Sequence, residues 1–444
     1  MYKQKNLSLY FFMYIIAGIL AGVCLDTVPT YLHYNKAMQG VEEAYSAYLG
    51  IGALLGALVV SYAKKVGFKP VIICSNLLGV MSYLVILYTE NRIFVSIALI
   101  AFSISLFAFD IMVAPFVDRF SSDSNKTKWY SKIYYGNMLG LAIGMLFGGT
   151  LVVLVVSVMT HVPYSEAKIL TENVGTMTAV QMAAYIEGYK WVFRVALFFS
   201  ALTFLPAVCI DEEKLAFVKR EVTEKTLIQF KQILSNRKLT LFALFSGLLV
   251  VGGAMVSPYF SVFMSSMGID RQTVSIFMTA NNIIPAVLLI GVNQVVYYIG
   301  VLKTRCAFQM IGGIGYGIIA ILIVSNRLLA IVPWIIVVSY SFISSARGAQ
   351  AEIMMTVGDS RLRVSISSLF YIISGIMQIL AGVIVRSVLF ETSSPYFWCF
   401  ALAGSISLIG STGIFLLFRK NLSLGARHEQ NKNSFKFSTE GKEC

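Results

Sequence analysis

The apolar residues of this chain come in long unbroken runs, not in stripes at helical spacing. A run of about 20 apolar residues crosses a hydrocarbon core about 30 Å thick as one helix. Only helices and closed barrels satisfy their own backbone there, and these runs are too long and continuous for barrel strands. They predict twelve membrane-spanning helices, at residues 7–32, 44–63, 70–88, 93–116, 130–158, 191–210, 239–264, 274–299, 306–325, 328–345, 364–388 and 396–418.

The predicted spans divide into six and six about a charged internal segment, which also carries apolar residues and is typical of an amphipathic linker on a membrane surface. The pattern therefore predicts an all-α polytopic membrane protein of two six-helix bundles. Its predicted parts are an N-terminal bundle (1–210), a linker (211–238), a C-terminal bundle (239–418) and a disordered tail (419–444). The long connection at 160–190 is expected to hold a short helix.

Composition supports this class, because 57% of the residues are hydrophobic and only 13% are charged. Soluble domains carry about 25% charged residues. If both termini lie inside, 27 of the 35 lysines and arginines fall in inner segments and 7 in outer ones. This asymmetry follows the positive-inside rule and predicts a multi-pass protein of the cell membrane with cytoplasmic termini. The net charge of +13 is then explained by anionic lipid, not by nucleic acid.

Several chemistries are not indicated by the sequence. The six cysteines and three histidines show no metal-ligand spacing, and no phosphate-binding G-x-x-x-x-G-K-[ST] loop is present. No selectivity-filter sequence is visible either. We therefore expect no metal, no cofactor and no enzymatic activity.

The two halves repeat each other weakly at an offset of 233 residues. Three identities follow a basic inner loop into the third span of each half: Gly67 with Gly300, Gly79 with Gly312, and Tyr83 with Tyr316. Repeated six-span halves are a known plan of secondary transporters.

Four glycines in the fifth span, Gly140, Gly144, Gly148 and Gly149, have the spacing G-x-x-x-G-x-x-x-G-G. With the twelve-span layout, they make the chain resemble the major facilitator superfamily, whose antiporters carry G-x-x-x-G-P-x-x-G-G in this span. Met145 stands where that motif has proline. Glycines four residues apart let helix backbones approach closely, and an ordinary packing face is the alternative interpretation.

The loop after the second span resembles the family's G-x-x-x-D-R-x-G-R-K loop only in part. Its turn glycine and some basic charge remain, as Lys64, Lys65, Gly67 and Lys69, but Lys64 stands in place of the acidic residue. The second-half copy keeps Gly300 and Lys303. In the family that acid is thought to latch the cytoplasmic gate, so the resemblance implies that any such latch here uses other residues.

Two acidic residues lie inside predicted spans, where an ionisable group is costly and suggests function. Asp110 lies in the fourth span and Asp26 lies late in the first. In the family fold these spans line the central cavity, which makes both residues candidates for proton coupling. The alternatives are a structural hydrogen bond for Asp110 and an interfacial position for Asp26. Arg194 is the one base that we place inside a span.

The second half offers neutral polar groups but no acid inside a predicted span. Such groups would suit a hydrogen-bonding or amphipathic substrate, although interhelical hydrogen bonds are the more common role. The candidates for a substrate cavity, with one from the fifth span, are Asn137, Asn281, Asn282, Tyr340, Ser344 and Gln378.

The leading hypothesis is therefore an alternating-access secondary transporter, a monomer in the bilayer, that exports an amphipathic or peptide-like molecule in exchange for protons. One alternative is a symporter or uniporter that imports a small neutral nutrient. A second alternative is a membrane scaffold or receptor on a transporter fold that has lost transport.

Overall fold

A computed structural model describes residues 2–38, 40–61, 63–121, 126–212, 235–357, 363–392 and 394–419. Within these ranges every regular element is a helix. Twelve long helices follow in chain order: α1 (Tyr2–Tyr34), α2 (Tyr45–Ser61), α3 (Phe68–Tyr88), α4 (Arg92–Phe120), α5 (Lys126–Thr160), α6 (Ala179–Leu202), α7 (Arg237–Val256), α8 (Arg271–Ile299), α9 (Val301–Ser325), α10 (Val332–Val357), α11 (Arg363–Ile384) and α12 (Pro395–Phe418).

Ten helical segments of the described chain are long and apolar enough to cross a membrane. Of the other two long helices, α2 is apolar but has only 17 residues, and α8 has 29 residues with adjacent asparagines near its middle. Large apolar side chains such as Ile93, Phe198 and Ile321 are more than half exposed, as lipid-facing residues are. These features fit a multi-pass membrane protein.

The hydrophobic cores follow the two halves. Two core clusters consist only of residues before position 211, and a third consists only of residues after position 241. The fourth belongs to the second half except for Met145 of α5. Met145 is only 2% exposed, so the residue that replaces the family's proline is buried against the other half.

The two halves meet along α5–α8 and α2–α11, with a smaller contact of α1 with the short helix Phe260–Ser266. Glycines bring α2 and α11 together: a Cβ at Gly50 would lie 2.6 Å from the carbonyl oxygen of Gly375. Backbones this close leave no space for a side chain, so α2 and α11 are in direct backbone contact at this point.

The repeat seen in the sequence has a structural counterpart. Gly67 precedes α3 with φ 98° and ψ 166°, and Gly300 precedes α9 with φ 87° and ψ 155°. Positive φ strains residues that carry a Cβ, so both turns favour glycine. Tyr83 and Tyr316 are each 1% exposed. The third helix of each half therefore starts from the same backbone turn.

Two predicted helix boundaries were wrong. α6 begins at Ala179, twelve residues before the predicted start, because Thr178 and Gln181 form a capping box. Its first turns carry Glu187 and Lys190, which hydropathy alone assigned to a loop. α10 extends to Val357 and likewise includes charged residues, Arg347 and Glu352, that hydropathy alone assigned to a loop. The short helix expected in the preceding connection is present at Tyr164–Leu170.

Most of the predicted linker, residues 213–234, and the tail from residue 420 lie outside the described residues. The amphipathic character of the linker and the domain boundaries therefore stay predictions. α6 leads into this linker at one surface of the membrane. We call that surface the linker side and the opposite surface the distal side.

Candidate functional site

Asp26 and Arg271 form an ion pair across the two halves. Both side chains have no exposed surface. Arg271 Nη1 donates to Asp26 Oδ1 at 2.9 Å, and Nη2 donates to Oδ2 and to the Asp26 carbonyl oxygen. A two-point arginine–carboxylate contact is strong and fixes geometry as well as charge. Since Asp26 belongs to α1 and Arg271 begins α8, this pair joins the halves.

The neighbours of the ion pair also come from both halves. Ser275 Oγ donates to Asp26 Oδ2 at 2.9 Å, and the Arg271 guanidinium lies 5.7 Å from the Tyr189 ring centre. The backbone N–H of Arg271 donates to Thr171 Oγ1, just after the short helix Tyr164–Leu170. The N-terminal half therefore surrounds the start of α8.

Two further arginines show that Arg194 is not the one base inside a helix of the bundle. The charge count placed Arg271 among the outer segments and Arg305 among the inner ones. Arg271 lies in the first turn of α8 and Arg305 in α9, and both are buried. Arg194 lies in α6, where it donates to Glu187 at 2.6 Å and lies over the Trp191 ring.

The four glycines of α5 separate into two sets. A Cβ at Gly140 or Gly144 would clash with backbone atoms of Ile15 or Ile19 in α1. A Cβ at Gly149 would instead run into Ser275 and lie 2.8 Å from the Arg271 carbonyl oxygen, both in α8. Gly148 faces Thr27, beside Asp26. At one end of the motif, Gly140 and Gly144 therefore pack α5 against α1 of the same half. At the other end, Gly148 and Gly149 lie beside the ion pair.

Asp110 makes the second polar bridge between the halves. Its Oδ1 accepts from Tyr14 of α1 at 2.6 Å, and its Oδ2 accepts from Tyr371 of α11 at 3.1 Å. Asn137 lies close by, because its Nδ2 donates to the Tyr14 carbonyl oxygen. Asp110 is half-buried and lies in the linker-side part of α4.

The loop before α3 is closed by an acid that sequence reasoning did not find. Glu212 accepts from the backbone N–H of Phe68 at 2.7 Å and from that of Lys69 at 3.1 Å. Lys69 Nζ donates to the carbonyl oxygens of Val208 and Ile210. Lys64 and Lys65 lie in the helix Ala63–Val66, but their side chains lie outside the described part of the structure. In the second half, Lys303 is exposed.

The other cavity candidates have separate contacts. Asn282 donates to the Met145 sulfur at 3.0 Å, and Tyr340 packs edge-on against Phe260. Gln378 reaches Ser374 at 3.5 Å. Two groups have buried atoms without a hydrogen-bond partner, Asn281 Oδ1 and Ser344 Oγ. Buried polar atoms are normally paired, so these two candidates keep unused hydrogen-bonding capacity in the described part of the structure.

The sequence pattern of the Major Facilitator Superfamily matches residues 7–382. The chain belongs to this superfamily. It is therefore a transporter of the membrane rather than an enzyme. No curated protein matches the chain.

Solved structures of major facilitator transporters have the same fold. A mutant form of the nucleoside transporter NupG is 12% identical with a TM-score of 0.69, over 94% of this chain and 100% of that one. The fucose:proton symporter FucP of E. coli is 14% identical with a TM-score of 0.62, over 94% and 97%. A D-xylose-proton symporter is 9% identical with a TM-score of 0.69, over 92% and 97%.

Within this major facilitator fold, most polar contacts between the described residues of the two halves lie on the distal side. Ser46 Oγ donates to the Ala254 carbonyl oxygen at 3.1 Å. Thr30 and Ser261 lie 3.2 Å apart through their hydroxyls. The Asp26–Arg271 pair lies in the same part of the interface, whereas Asp110 and Tyr371 lie toward the linker side. The structure therefore represents a state of the transporter that is closed on the distal side.

Two residues of this site, Arg271 and Glu212, were missed by sequence reasoning, for different reasons. Arg271 follows a polar turn and was therefore assigned to a loop. Tyr371 belongs to the neutral polar groups of the second half, but no spacing in the sequence connects it with Asp110. Glu212 is 144 residues from Phe68 in the chain, so only the fold brings them together. A buried acid such as Asp26 requires a base nearby, and this requirement is the signal that could have pointed to Arg271.

Proposed function

We propose that this protein is a proton-coupled secondary transporter that works by alternating access, with Asp110 as its proton-carrying group. The observation that carries the proposal is the position of Asp110 between Tyr14 of its own half and Tyr371 of the other half. A titratable group that bridges two moving bodies couples its protonation to their separation.

The chemistry of the coupling follows from the hydrogen bonds. As a carboxylate, Asp110 accepts two charge-assisted hydrogen bonds, each worth about 1.5–3 kcal/mol. Protonation replaces them with neutral hydrogen bonds of about 1 kcal/mol and converts one acceptor oxygen to a donor. The contact with Tyr371 is then weaker, and the linker side opens more easily. Loss of the proton restores the closed arrangement.

Asp26 is proposed as a fixed charge and not as a proton carrier. Protonating it would leave the Arg271 guanidinium buried without a counter-ion, which is strongly unfavourable. The pair instead forms a latch that holds the distal side closed. Opening that side requires Asp26 and Arg271 to separate, so their contacts contribute to the barrier between the two states.

Export is the proposed direction, with an amphipathic or peptide-like substrate. The α5 glycines support it, because they resemble an antiporter motif and place Gly148 and Gly149 beside the distal latch. The proposed location is the cytoplasmic membrane, with both termini inside and a monomer as the working unit. The linker side is then the cytoplasmic side.

Proton-coupled import of a small hydrogen-bonding solute is the second candidate. It is favoured by the unpaired buried atoms Asn281 Oδ1 and Ser344 Oγ. The names of the similar structures, a nucleoside transporter and symporters of fucose and xylose, concern solutes of this class.

Purified protein in liposomes with a pH-sensitive dye in the lumen tests the proposal. Nucleosides, sugars, dipeptides and amphipathic cations would be added under an imposed proton gradient. We expect one class to move protons in the wild type, at a rate reduced at least about tenfold in Asp110→Asn. Tyr371→Phe removes the hydrogen bond that joins Asp110 to the other half, so we expect coupling to weaken in this variant as well.

The matched control is Glu90→Gln, which neutralises an exposed acid paired with Lys190. It should transport like the wild type. Proton movement that persists unchanged in Asp110→Asn would remove that residue from the coupling mechanism. Flux of labelled solute without protons would support uniport, and no flux of any solute class would favour the scaffold interpretation. The sign of the proton flux separates export from import.

A further inference from the structure

We propose that His33 and Glu42 form a second proton-binding site of the transporter, which holds the distal side closed while it is protonated and releases it when the proton is lost. The site is separate from Asp110, because α1 runs from Lys5, paired with Asp211 on the linker side, to His33 in its last turn on the distal side. The inference rests on alternating access, as proposed above, but not on the role of Asp110.

The contact between the two residues is short and largely shielded from water on the glutamate side. His33 Nδ1 lies 2.8 Å from Glu42 Oε2, and the two side chains are 35% and 8% exposed. The other carboxylate oxygen, Glu42 Oε1, is buried without a hydrogen-bond partner among the described residues. A buried carboxylate is costly without a counter-ion, and a protonated His33 supplies one.

Glu42 is buried where the two halves meet. The next residue contacts the other half twice, because the Glu43 carbonyl oxygen accepts from Tyr259 at 3.0 Å and the Glu43 carboxylate lies 3.8 Å from Arg386. The Glu42 carboxylate itself lies close enough to Tyr259 and Tyr396 of the second half to interact electrostatically with their hydroxyls. Separation of the halves on the distal side therefore exposes Glu42 to water.

A proton on His33 then favours the closed state. The imidazolium donates a charge-assisted hydrogen bond to Glu42, whereas a neutral imidazole leaves the charge of the buried carboxylate unbalanced. In the open state water solvates the carboxylate, so loss of the proton costs less there. By linkage, the closed state binds the proton more tightly than the open state does. The pair stabilises the closed state below about pH 6.5, the ordinary pKa of histidine, and this stabilisation is lost as the pH rises above it.

The other charged and titratable side chains around the pair do not change charge in this pH range. Those of the surrounding described elements are Tyr34 of α1, Lys36 and Glu43 between α1 and α2, Arg92 of α4, Tyr185 of α6, Tyr259 before the helix Phe260–Ser266, Arg271 of α8, Arg386 after α11 and Tyr396 of α12. Tyrosine, lysine, arginine and glutamate ordinarily keep one charge between about pH 5 and 8, whereas histidine titrates there. Arg271 is already bound to Asp26. His33 is partly exposed, so its proton exchanges with water on the distal side.

Spin-label distances across the distal side measure the closed and open populations. Nitroxide labels would be attached at Ser165→Cys, in the short helix Tyr164–Leu170, and at Arg327→Cys, between α9 and α10, which are both exposed positions. The full-length protein in nanodiscs would carry serine in place of its exposed cysteines Cys74 and Cys209 and of the terminal cysteine. Pulsed electron resonance then gives the ratio of closed to open molecules without added solute.

We expect this ratio to fall at least about fivefold between pH 5 and pH 8, the lower end of common coupling strengths between sites. His33→Gln and Glu42→Gln remove the titrating pair, so the ratio should change less than about twofold in either variant. Asp110→Asn should keep the pH dependence of the wild type, because Asp110 lies on the linker side. His161→Asn is the matched control: it removes another exposed distal histidine, and asparagine tolerates the positive φ of 56° at that position.

The double variant Asp26→Asn/Arg271→Gln shows whether the labels report opening, because it should raise the open population at both pH values. If that variant opens while the wild-type ratio is independent of pH, the proton site is overturned and alternating access stands. A wild-type pH dependence that persists in His33→Gln also overturns the proton site. If no variant opens at either pH, the proton site and alternating access are overturned together.

Discussion

Replacing Arg271 with glutamine is expected to destabilise the folded protein by about 3–5 kcal/mol, because it leaves the Asp26 carboxylate buried without its partner. The two side chains are fully buried, so water cannot take the place of the missing guanidinium. Ser275 would still donate one hydrogen bond to Asp26, which is too little to offset the lost charge. Thermal unfolding in a fixed detergent measures the effect.

The double variant Asp26→Asn/Arg271→Gln separates charge from packing. It removes both charges and keeps hydrogen-bonding groups of similar size, so we expect it to recover most of the lost stability. Arg386→Gln is the matched control. Arg386 also reaches across the halves, to Glu43 at 3.8 Å, but its side chain is 56% exposed. Exposed pairs contribute about 0–1 kcal/mol, so this variant should unfold almost like the wild type.

The same variants test the latch on the distal side. In the double variant the closed state loses the contact that joins α1 to α8, so the distal side should open more often. Hydrogen exchange at the start of α8 and in the short helix Tyr164–Leu170 should become faster than in the wild type. If Arg271→Gln is as stable as Arg386→Gln and its exchange is unchanged, the ion pair does not hold the halves together.

The fold could be predicted from the sequence because its signal is physical and local. Long apolar runs identify spans without knowledge of their neighbours, and the family match and the helical structure confirm the fold class. Errors arose where a span carries charge. The prediction started α6 twelve residues too late, because hydropathy assigned the turns that carry Glu187 and Lys190 to a loop.

The sequence predicts the two acids of the candidate site but not the residues that pair with them. Asp26 and Asp110 were identified because an acid inside an apolar run is costly, and the structure gives both of them partners in the other half. Neither partner was identified. Arg271 lies at a helix end, where a base is common, and Tyr371 is one of several neutral polar residues in the spans of the second half. Pairing across 245 or 261 residues depends on packing that no local pattern encodes.

The α5 glycines show how one motif can serve two purposes, and substitutions along it should have different effects. Gly144→Val is expected to prevent proper folding, because its Cβ would lie 3.1 Å from the Ile19 Cα and still closer to the Ile19 carbonyl oxygen. Overpacking of this kind costs about 1–3 kcal/mol or more, since α1 and α5 must separate. Gly253→Val is the matched control, because no described atom lies within 4 Å of that Cβ.

Gly149→Ala should leave folding nearly intact and change transport instead. Its Cβ would press on Ser275 and the Arg271 carbonyl oxygen, which belong to the other half and can move away as a body. The distal-closed state is then disfavoured while α1 and α5 stay packed. We expect near wild-type yield and unfolding temperature, with faster hydrogen exchange at the start of α8. Equal loss of yield in Gly144→Val and Gly149→Ala would instead mean that all four glycines serve packing alone, and the resemblance to an antiporter motif would lose its mechanistic meaning.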